Sequence, residues 1–231
     1  MKELLASKKI IRLDSKQWIL IILPLILTAV MYLVFRWFNY FFVPPLGYLL
    51  SFIIYWLLWC FIFPLFMLNG IKGIKDLFKP LWNKKITKKW LLIIIILLIW
   101  PIALPLFFRF IPQISNASCL IITLSFLIGC INGAAEEILW RGTFLKIFPN
   151  NIWLNLFYSS FGFAIWHIAP QALTPNTSPG GIWSFLFFSF ILGLTWSFIT
   201  IKTQSIFWSM ISHIIFDSLG LGAFAYIVWL R

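Results

Sequence analysis

Long uninterrupted apolar runs constrain this chain more than any other feature. A membrane-spanning helix needs roughly 20 mostly apolar residues, and the sequence offers candidates at 17–43, 46–68, 90–111, 118–148, 152–169, 182–201, 204–217 and 218–230. Backbone polar groups in hydrocarbon must be satisfied within the segment, so these runs predict helices. We therefore expect an all-α, polytopic membrane bundle that forms a single domain over residues 1–231. It has about eight spans, or seven, because the last two candidates are short.

The composition agrees with a protein dissolved in lipid. Of the 231 residues, 62% are hydrophobic and 10% are charged, whereas soluble domains are about 45–50% apolar and about 25% charged. This excludes a soluble cytosolic enzyme, a nucleic-acid module and a disordered tail, and it leaves membrane lipids as partners. The three cysteines lie in apolar runs and are expected to be small core side chains: Cys60, Cys119 and Cys130.

The basic residues predict the orientation of the bundle. If both termini lie on one side, sixteen of the 18 lysines and arginines fall on that side, and only Arg36 and Arg109 do not. Positive charge stays on the cytoplasmic side, so both termini are predicted to be cytoplasmic. Residues 70–89 separate apolar residues from lysines, which predicts an interfacial basic amphipathic segment on the inner leaflet. A docking surface for a partner protein is the alternative.

Five ionisable side chains lie inside apolar helical segments, where they are not expected: Glu136, Glu137, His167, His213 and Asp217. A charged group in the middle of a membrane costs at least about 2.5–3.5 kcal/mol, and such groups usually mark a functional site. Both histidines of the protein and half of its acids are in this set. We therefore predict that they converge on one shared site.

Helical spacing indicates which of these groups interact. Glu137 and Arg141 are four residues apart, as are His213 and Asp217, so each pair shares a helix face. The orientation of the first pair suits a buried ion pair, which leaves Glu136 as the free, reactive carboxylate. Counting along the helices places Glu136 and His167 at different depths, so the predicted boundaries or the helix tilts must differ from the ideal.

A carboxylate and two imidazoles, without a serine or cysteine signature, suggest that water is the nucleophile. Glu136 would accept the proton of this water, His167 would orient it, and His213 would face the developing oxyanion. No cofactor is favoured. A Zn²⁺ ion is the alternative, since His and Glu are plausible zinc ligands. Its ligands would then come from the same set: Glu136, His167, His213 and Asp217.

Three short motifs resemble those of a known membrane family. Residues Glu136–Arg141 (EEILWR) resemble the E-E-x-x-x-R motif of the CPBP family (CAAX protease and bacteriocin-processing, also called Abi) of intramembrane endopeptidases. Residues Phe163–His167 (FAIWH) resemble its F-x-x-x-H motif, and His213–Asp217 (HIIFD) resembles its closing H-x-x-x-[N/D] motif. The motifs occur in the family's order, and the resemblance extends over residues 118–220.

The resemblance implies an eight-helix membrane protease whose core helices lie within 118–220 and whose cavity is open to the cytosol. It implies that Glu136 and His167 activate water, and that His213 and the residue at position 217 stabilise the oxyanion. It assigns supporting roles to Glu137, Arg141 and Phe163. Members that process prenylated proteins carry Asn at the last position, whereas this chain has Asp217, which can instead orient His213 or bind a metal.

These observations leave three functional hypotheses. The first is an intramembrane endopeptidase, glutamate- or metal-dependent, that hydrolyses a membrane-associated peptide or protein in bacteriocin or pheromone processing or in self-immunity. The second is a non-catalytic membrane immunity or scaffold protein that acts by binding. The third is a proton-coupled transporter whose buried acids relay protons.

Overall fold

The computed structural model describes residues 13–79, 86–171 and 180–221, in which every regular element is helical and no strand occurs. Together with the hydropathy of its helices, this shows a multi-pass membrane protein. In chain order the helices are α1 (Ser15–Phe41), α2 (Leu46–Met67), α3 (Ile71–Lys75), α4 (Lys88–Asn116), α5 (Cys119–Ile147), α6 (Ser159–Trp166), α7 (Ile168–Gln171), α8 (Gly181–Thr203) and α9 (Phe207–Leu219).

Five of the described helices are long and apolar enough to cross a membrane: α1, α2, α4, α5 and α8. Their bounds confirm five of the predicted spans to within a few residues. The fifth predicted span is divided between a π-helical stretch (Trp153–Tyr158), α6 and α7. The seventh corresponds to α9, whose 13 residues extend for about 20 Å and are short for a hydrocarbon core of about 30 Å. The eighth, 218–230, lies almost wholly outside the described residues, so the count of eight stays a prediction.

Polar contacts tie several helix ends together at one end of the bundle. Lys16, in the first turn of α1, donates to the backbone oxygen of Met67 at 2.7 Å and to the side chain of Asn69 at 2.8 Å. The neighbouring Gln17 donates to the carbonyl of Ile147, where α5 ends. We call this the basic end, because all the lysines of the described residues lie at or near it: Lys16, Lys72, Lys75, Lys79, Lys88, Lys89, Lys146 and Lys202.

The described part of the 70–89 segment packs against this basic end. Helix α3 continues into a short 3₁₀ turn, and this stretch buries Ile74 and Leu77. The carbonyl of Leu77 accepts a hydrogen bond from the amide of Ile206, just before α9. Residues 80–85 lie outside the described residues, and the interfacial role of the segment stays a prediction.

Two glycines of α5 set the distance between α5 and α9. A Cβ atom on Gly133 would lie 2.8 Å from the backbone nitrogen of Ile214, and one on Gly129 would lie 2.8 Å from that of Ser218. Both separations are shorter than any side chain tolerates, so the two helices pack backbone against backbone. This close approach brings His213 alongside Glu136 and Glu137 in the middle of α5.

Candidate active site

One cavity of about 650 Å³ collects four of the five ionisable side chains that the sequence singled out, all except Glu137. Glu136 on α5, His167 at the end of α6, and His213 and Asp217 on α9 all line it. Glu136 and His167 both line this cavity, so the two side chains meet despite the different depths that counting along the helices predicts. The fold therefore brings together residues from three separate parts of the chain.

Glu136 is buried and held by donors from three helices. Its Oε1 atom accepts hydrogen bonds from the Tyr55 hydroxyl at 3.1 Å and the Trp166 indole at 3.0 Å. Its Oε2 atom accepts one from the Asn132 amide at 3.2 Å. The Tyr55 hydroxyl in turn accepts from the Trp140 indole at 2.9 Å, so the orientation of the carboxylate is fixed at both oxygens.

Glu137 forms the ion pair that its spacing predicts. The Arg141 Nη1 atom lies 3.2 Å from Glu137 Oε1, and both side chains are fully buried. The guanidinium carbon also lies 4.2 Å from the centre of the Phe163 ring and 5.3 Å from that of Trp196. Such cation–π contacts stabilise a buried cation that has few hydrogen-bond acceptors.

His213 connects the two glutamates. Its Nδ1 atom lies 3.0 Å from Glu137 Oε1, and since an ionised carboxylate can only accept, Nδ1 carries the hydrogen. Its Nε2 atom lies 3.5 Å from Glu136 Oε2 and 3.5 Å from Asp217 Oδ2. The ring of Trp196 stacks on the imidazole, with ring centres 3.8 Å apart, and holds its plane.

Asp217 lies near the Nε2 atom of His213, whereas a residue that orients a histidine normally contacts the Nδ1 atom. The closest partner of the Nδ1 atom of His213 is Glu137, whereas Asp217 lies near Nε2. The Asn132 amide donates to Asp217 Oδ2 at 2.9 Å as well as to Glu136. Asn132 therefore bridges the two carboxylates that line the cavity.

A backbone hydrogen bond fixes which ring nitrogen of His167 carries the hydrogen. Its Nδ1 atom lies 2.7 Å from the carbonyl oxygen of Phe163. A carbonyl only accepts hydrogen bonds, so Nδ1 donates, and in the neutral imidazole Nε2 keeps its lone pair. The rings of Phe163 and Phe185 contact the imidazole edge-on at 4.7 and 5.5 Å. This nitrogen is thus available as an acceptor.

Several residues of the site were not found from the sequence. Asn132 precedes Glu136 by four residues on the same helix, so spacing alone could have indicated it. Trp166 lies inside the second motif, next to His167. Tyr55 and Trp196 gave no local signal, because they belong to helices far from the motifs along the chain.

The side chains of the site do not form a ready set of metal ligands. Among the described residues, no three His, Cys, Asp or Glu side chains converge as a metal would require. Instead, an amide group of Asn132 lies between the two carboxylates, and His213 Nδ1 is engaged by Glu137. The mechanism proposed below therefore uses no metal. Zn²⁺ stays the alternative cofactor, and elemental analysis of the purified protein tests for it.

The cavity lies in the half of the bundle away from the basic end. Near the basic end, α4 and α8 are in contact, with Lys202 Nζ 4.0 Å from the Trp90 ring centre. The cavity is lined instead by the later part of α4, such as Phe108, and the earlier part of α8, such as Ser184. With both termini cytoplasmic, as the charges predict, the cavity lies in the half of the bundle nearer the opposite face. The cytosolic opening that the family resemblance implies stays a prediction.

A comparison with known families supports the motif assignment. Residues 116–219 match the family model described as "Type II CAAX prenyl endopeptidase Rce1-like". All three motifs lie within this segment, so the resemblance predicted from them is confirmed. Searches of curated proteins and of solved structures found no match. The match covers 104 of the 231 residues, and over that segment the chain is similar to CAAX prenyl endopeptidases.

Proposed function

We propose that this membrane protein, whose residues 116–219 are Rce1-like, is an endopeptidase that uses an activated water molecule. Its substrate is a membrane-associated peptide or protein, of the kind handled in bacteriocin or pheromone processing or in self-immunity. The observation that supports this best is the common cavity of Glu136, His167, His213 and Asp217. Only one of the two adjacent glutamates faces it.

Glu136 and His167 are the groups that activate water in this proposal. Two donors hold Oε1 of Glu136, so Oε2 is the oxygen that faces the cavity and accepts the proton. His167 Nε2 accepts a second hydrogen bond and orients the water. The water oxygen attacks the peptide carbonyl carbon, the C–N bond breaks, and the proton held by Glu136 passes to the leaving amine.

His213 is the group that stabilises the oxyanion. When protonated on both nitrogens, it donates from Nδ1 to Glu137 and presents Nε2–H to the cavity. An ionised Asp217 cannot donate in this way. The neighbouring Asn132 amide already donates to Asp217 and to Glu136, so His213 is the donor to the oxyanion. Glu137 and Arg141 keep the imidazole in position from the buried side.

Substitution of Glu136 tests the proposal. Purified protein in lipid vesicles is incubated with a library of membrane-anchored peptides, and products are detected by mass spectrometry. We expect Glu136→Gln to lower kcat/KM by about 10²–10⁴-fold, the range for removal of a general base. Asp76→Asn, a carboxylate-to-amide change outside the cavity, is the matched control and should cleave normally.

Two results would contradict the proposal. If the Glu136→Gln variant still protects cells in a self-immunity assay, the protein acts by binding, as an immunity or scaffold protein would. If the vesicles show pH-driven flux without peptide cleavage, it is a transporter. Elemental analysis of the same preparation tests for a metal. Stoichiometric zinc, with loss of cleavage on chelation, would show that cleavage is metal-dependent and would overturn the metal-free mechanism.

A further inference from the structure

A hydrogen-bond chain connects α2 to the carboxylates of the cavity through a single amide group. The Trp56 indole Nε1 atom on α2 donates to Asn132 Oδ1 on α5 at 2.8 Å. The Nδ2 atom of the same amide donates to Glu136 Oε2 at 3.2 Å and to Asp217 Oδ2 at 2.9 Å. Trp56 is buried, and no step of the proposed mechanism uses it. The chain therefore links three helices at the reacting carboxylate.

Trp56 fixes which end of the Asn132 side chain faces the carboxylates. An indole N–H can only donate, so the atom that it contacts must be the amide oxygen. The amide nitrogen then faces the other way with two hydrogens, one for each carboxylate. If the amide were reversed, its oxygen would face two carboxylate oxygens, which are also acceptors, and its nitrogen would face the indole N–H. The contact with Trp56 therefore stabilises one orientation of Asn132 over the other.

Asn132 also determines how many acceptor positions Glu136 has left. The two oxygens of an ionised carboxylate offer about four lone-pair positions. Tyr55 and Trp166 occupy two of them on Oε1, and Asn132 occupies one on Oε2. The Nε2 atom of His213 lies 3.5 Å from Oε2, which is longer than a normal N–H···O hydrogen bond. Among the described residues, one acceptor position on Glu136 is therefore left, on the oxygen that faces the cavity.

The same amide lies between two groups of like charge. Oε2 of Glu136 and Oδ2 of Asp217 both contact Nδ2 of Asn132. Both oxygens also lie 3.5 Å from Nε2 of His213. Two ionised carboxylates this close together repel each other, and one N–H donated to each of them offsets that repulsion. Removal of the amide therefore lets Glu136 leave the position in which it faces the cavity.

We propose that Trp56 and Asn132 are positioning residues that hold Glu136 with a single acceptor position directed at the attacking water. This inference rests on the proposed role of Glu136 as the base. In this role neither residue contacts the substrate: Asn132 acts through Glu136, and Trp56 acts through Asn132. Their loss should therefore lower kcat and leave KM nearly unchanged, because the substrate binds as before and is attacked more slowly.

Single substitutions test this in lipid vesicles that contain the full chain and a peptide that the unmodified protein cleaves. Trp56→Phe removes only the indole N–H and should lower kcat about 3- to 10-fold, the equivalent of one neutral hydrogen bond. Asn132→Leu removes two donors to charged groups and should lower kcat about 10- to 100-fold. Trp59→Phe, three residues later on the same helix, is the matched control and should keep the full kcat. A Trp56→Phe protein with unchanged kcat, or with only a raised KM, would overturn the proposal.

An exchange of the amide and one carboxylate distinguishes positioning from a loss of folding. Asn132→Asp alone places three carboxylates together and should be at least as slow as Asn132→Leu. With Asp217→Asn added, the amide at position 217 donates to the carboxylate at position 132, which still accepts from Trp56. We expect this double variant to be at least about 10-fold faster in kcat than Asn132→Asp. If the two proteins unfold at the same temperature and cleave equally slowly, the amide does not position Glu136.

Infrared spectroscopy separates this inference from the peptidase itself. The difference spectrum between a protein with and without Glu136→Gln isolates the carboxyl bands of Glu136. We expect these bands to shift in Trp56→Phe and in Asn132→Leu, because a carboxyl stretch responds to the geometry of its donors. They should stay in place in Trp59→Phe. Shifted bands in a protein that cleaves no peptide support the positioning pair and refute the peptidase, whereas unshifted bands in an active peptidase do the reverse.

Discussion

Two adjacent glutamates on α5 occupy different regions of the protein. Glu137 faces the buried side, where its Oε1 atom contacts Arg141 and His213, and it does not line the cavity. Glu136 faces the cavity and is held by neutral donors, Tyr55 and Trp166. Neighbouring residues on a helix are about 100° apart, so a structural carboxylate and a chemical one project in different directions from the same turn of the helix. Glu137 holds His213 from the buried side, and the Nε2 atom of His213 lies beside Glu136 at the cavity.

The largest expected effect on folding comes from the buried side. Glu137→Gln leaves the Arg141 charge without its counterion, which should lower the free energy of unfolding by about 3–5 kcal/mol. Thermal unfolding in detergent measures this. Glu136→Gln keeps neutral donors around a neutral amide and should unfold close to the unmodified protein.

A double variant sharpens this first prediction. Arg141→Met in the Glu137→Gln background removes the unpaired charge, so it should recover part of the lost stability. Activity should not return, because a neutral amide at position 137 no longer stabilises the positive charge of a protonated His213. If Glu136→Gln proves the more destabilising of the two single substitutions, the division between a structural and a chemical glutamate is wrong.

A smaller effect on stability is expected from Tyr55, one of the neutral donors to Glu136. Tyr55→Phe keeps the stacking on Trp166, whose ring centre is 3.6 Å away, but removes the hydroxyl between Glu136 and Trp140. We expect a loss of about 1–3 kcal/mol in unfolding free energy, since a buried indole N–H loses its acceptor, together with a lower kcat. Tyr48→Phe, seven residues earlier on the same helix, is the control. A fully active Tyr55→Phe would show that this donor does not position Glu136.

The smallest effect on activity is expected from Ser184→Cys. Labelling of this cysteine tests whether the cavity is accessible to water and from which face of the membrane. Ser184→Cys is made in a background with Cys119→Ser and Cys130→Ser, while the buried Cys60 is kept. A membrane-impermeant maleimide should label it in intact cells if both termini are cytoplasmic, with little change in activity. Labelling only in inverted vesicles would establish the cytosolic opening that the family resemblance implies, and would show that the charge distribution misled the orientation.

The sequence predicted those parts of the structure that depend on one helix at a time. Five spans follow from apolar length, because a helix is the means by which a single segment satisfies its backbone in lipid. The Glu137–Arg141 ion pair follows from a spacing of four residues on one helix. None of these needs knowledge of another helix.

Tertiary structure alone decided which partners meet. Nothing near the motifs indicates that Tyr55 donates to Glu136, that Glu137 rather than Asp217 engages His213 Nδ1, or that Arg109 lies on the same cavity. In a membrane the outer surfaces of all helices are apolar, so hydrophobic pattern does not reveal which faces pack together. Those choices rest on steric fit and on polar groups from distant segments, which one sequence does not order in space.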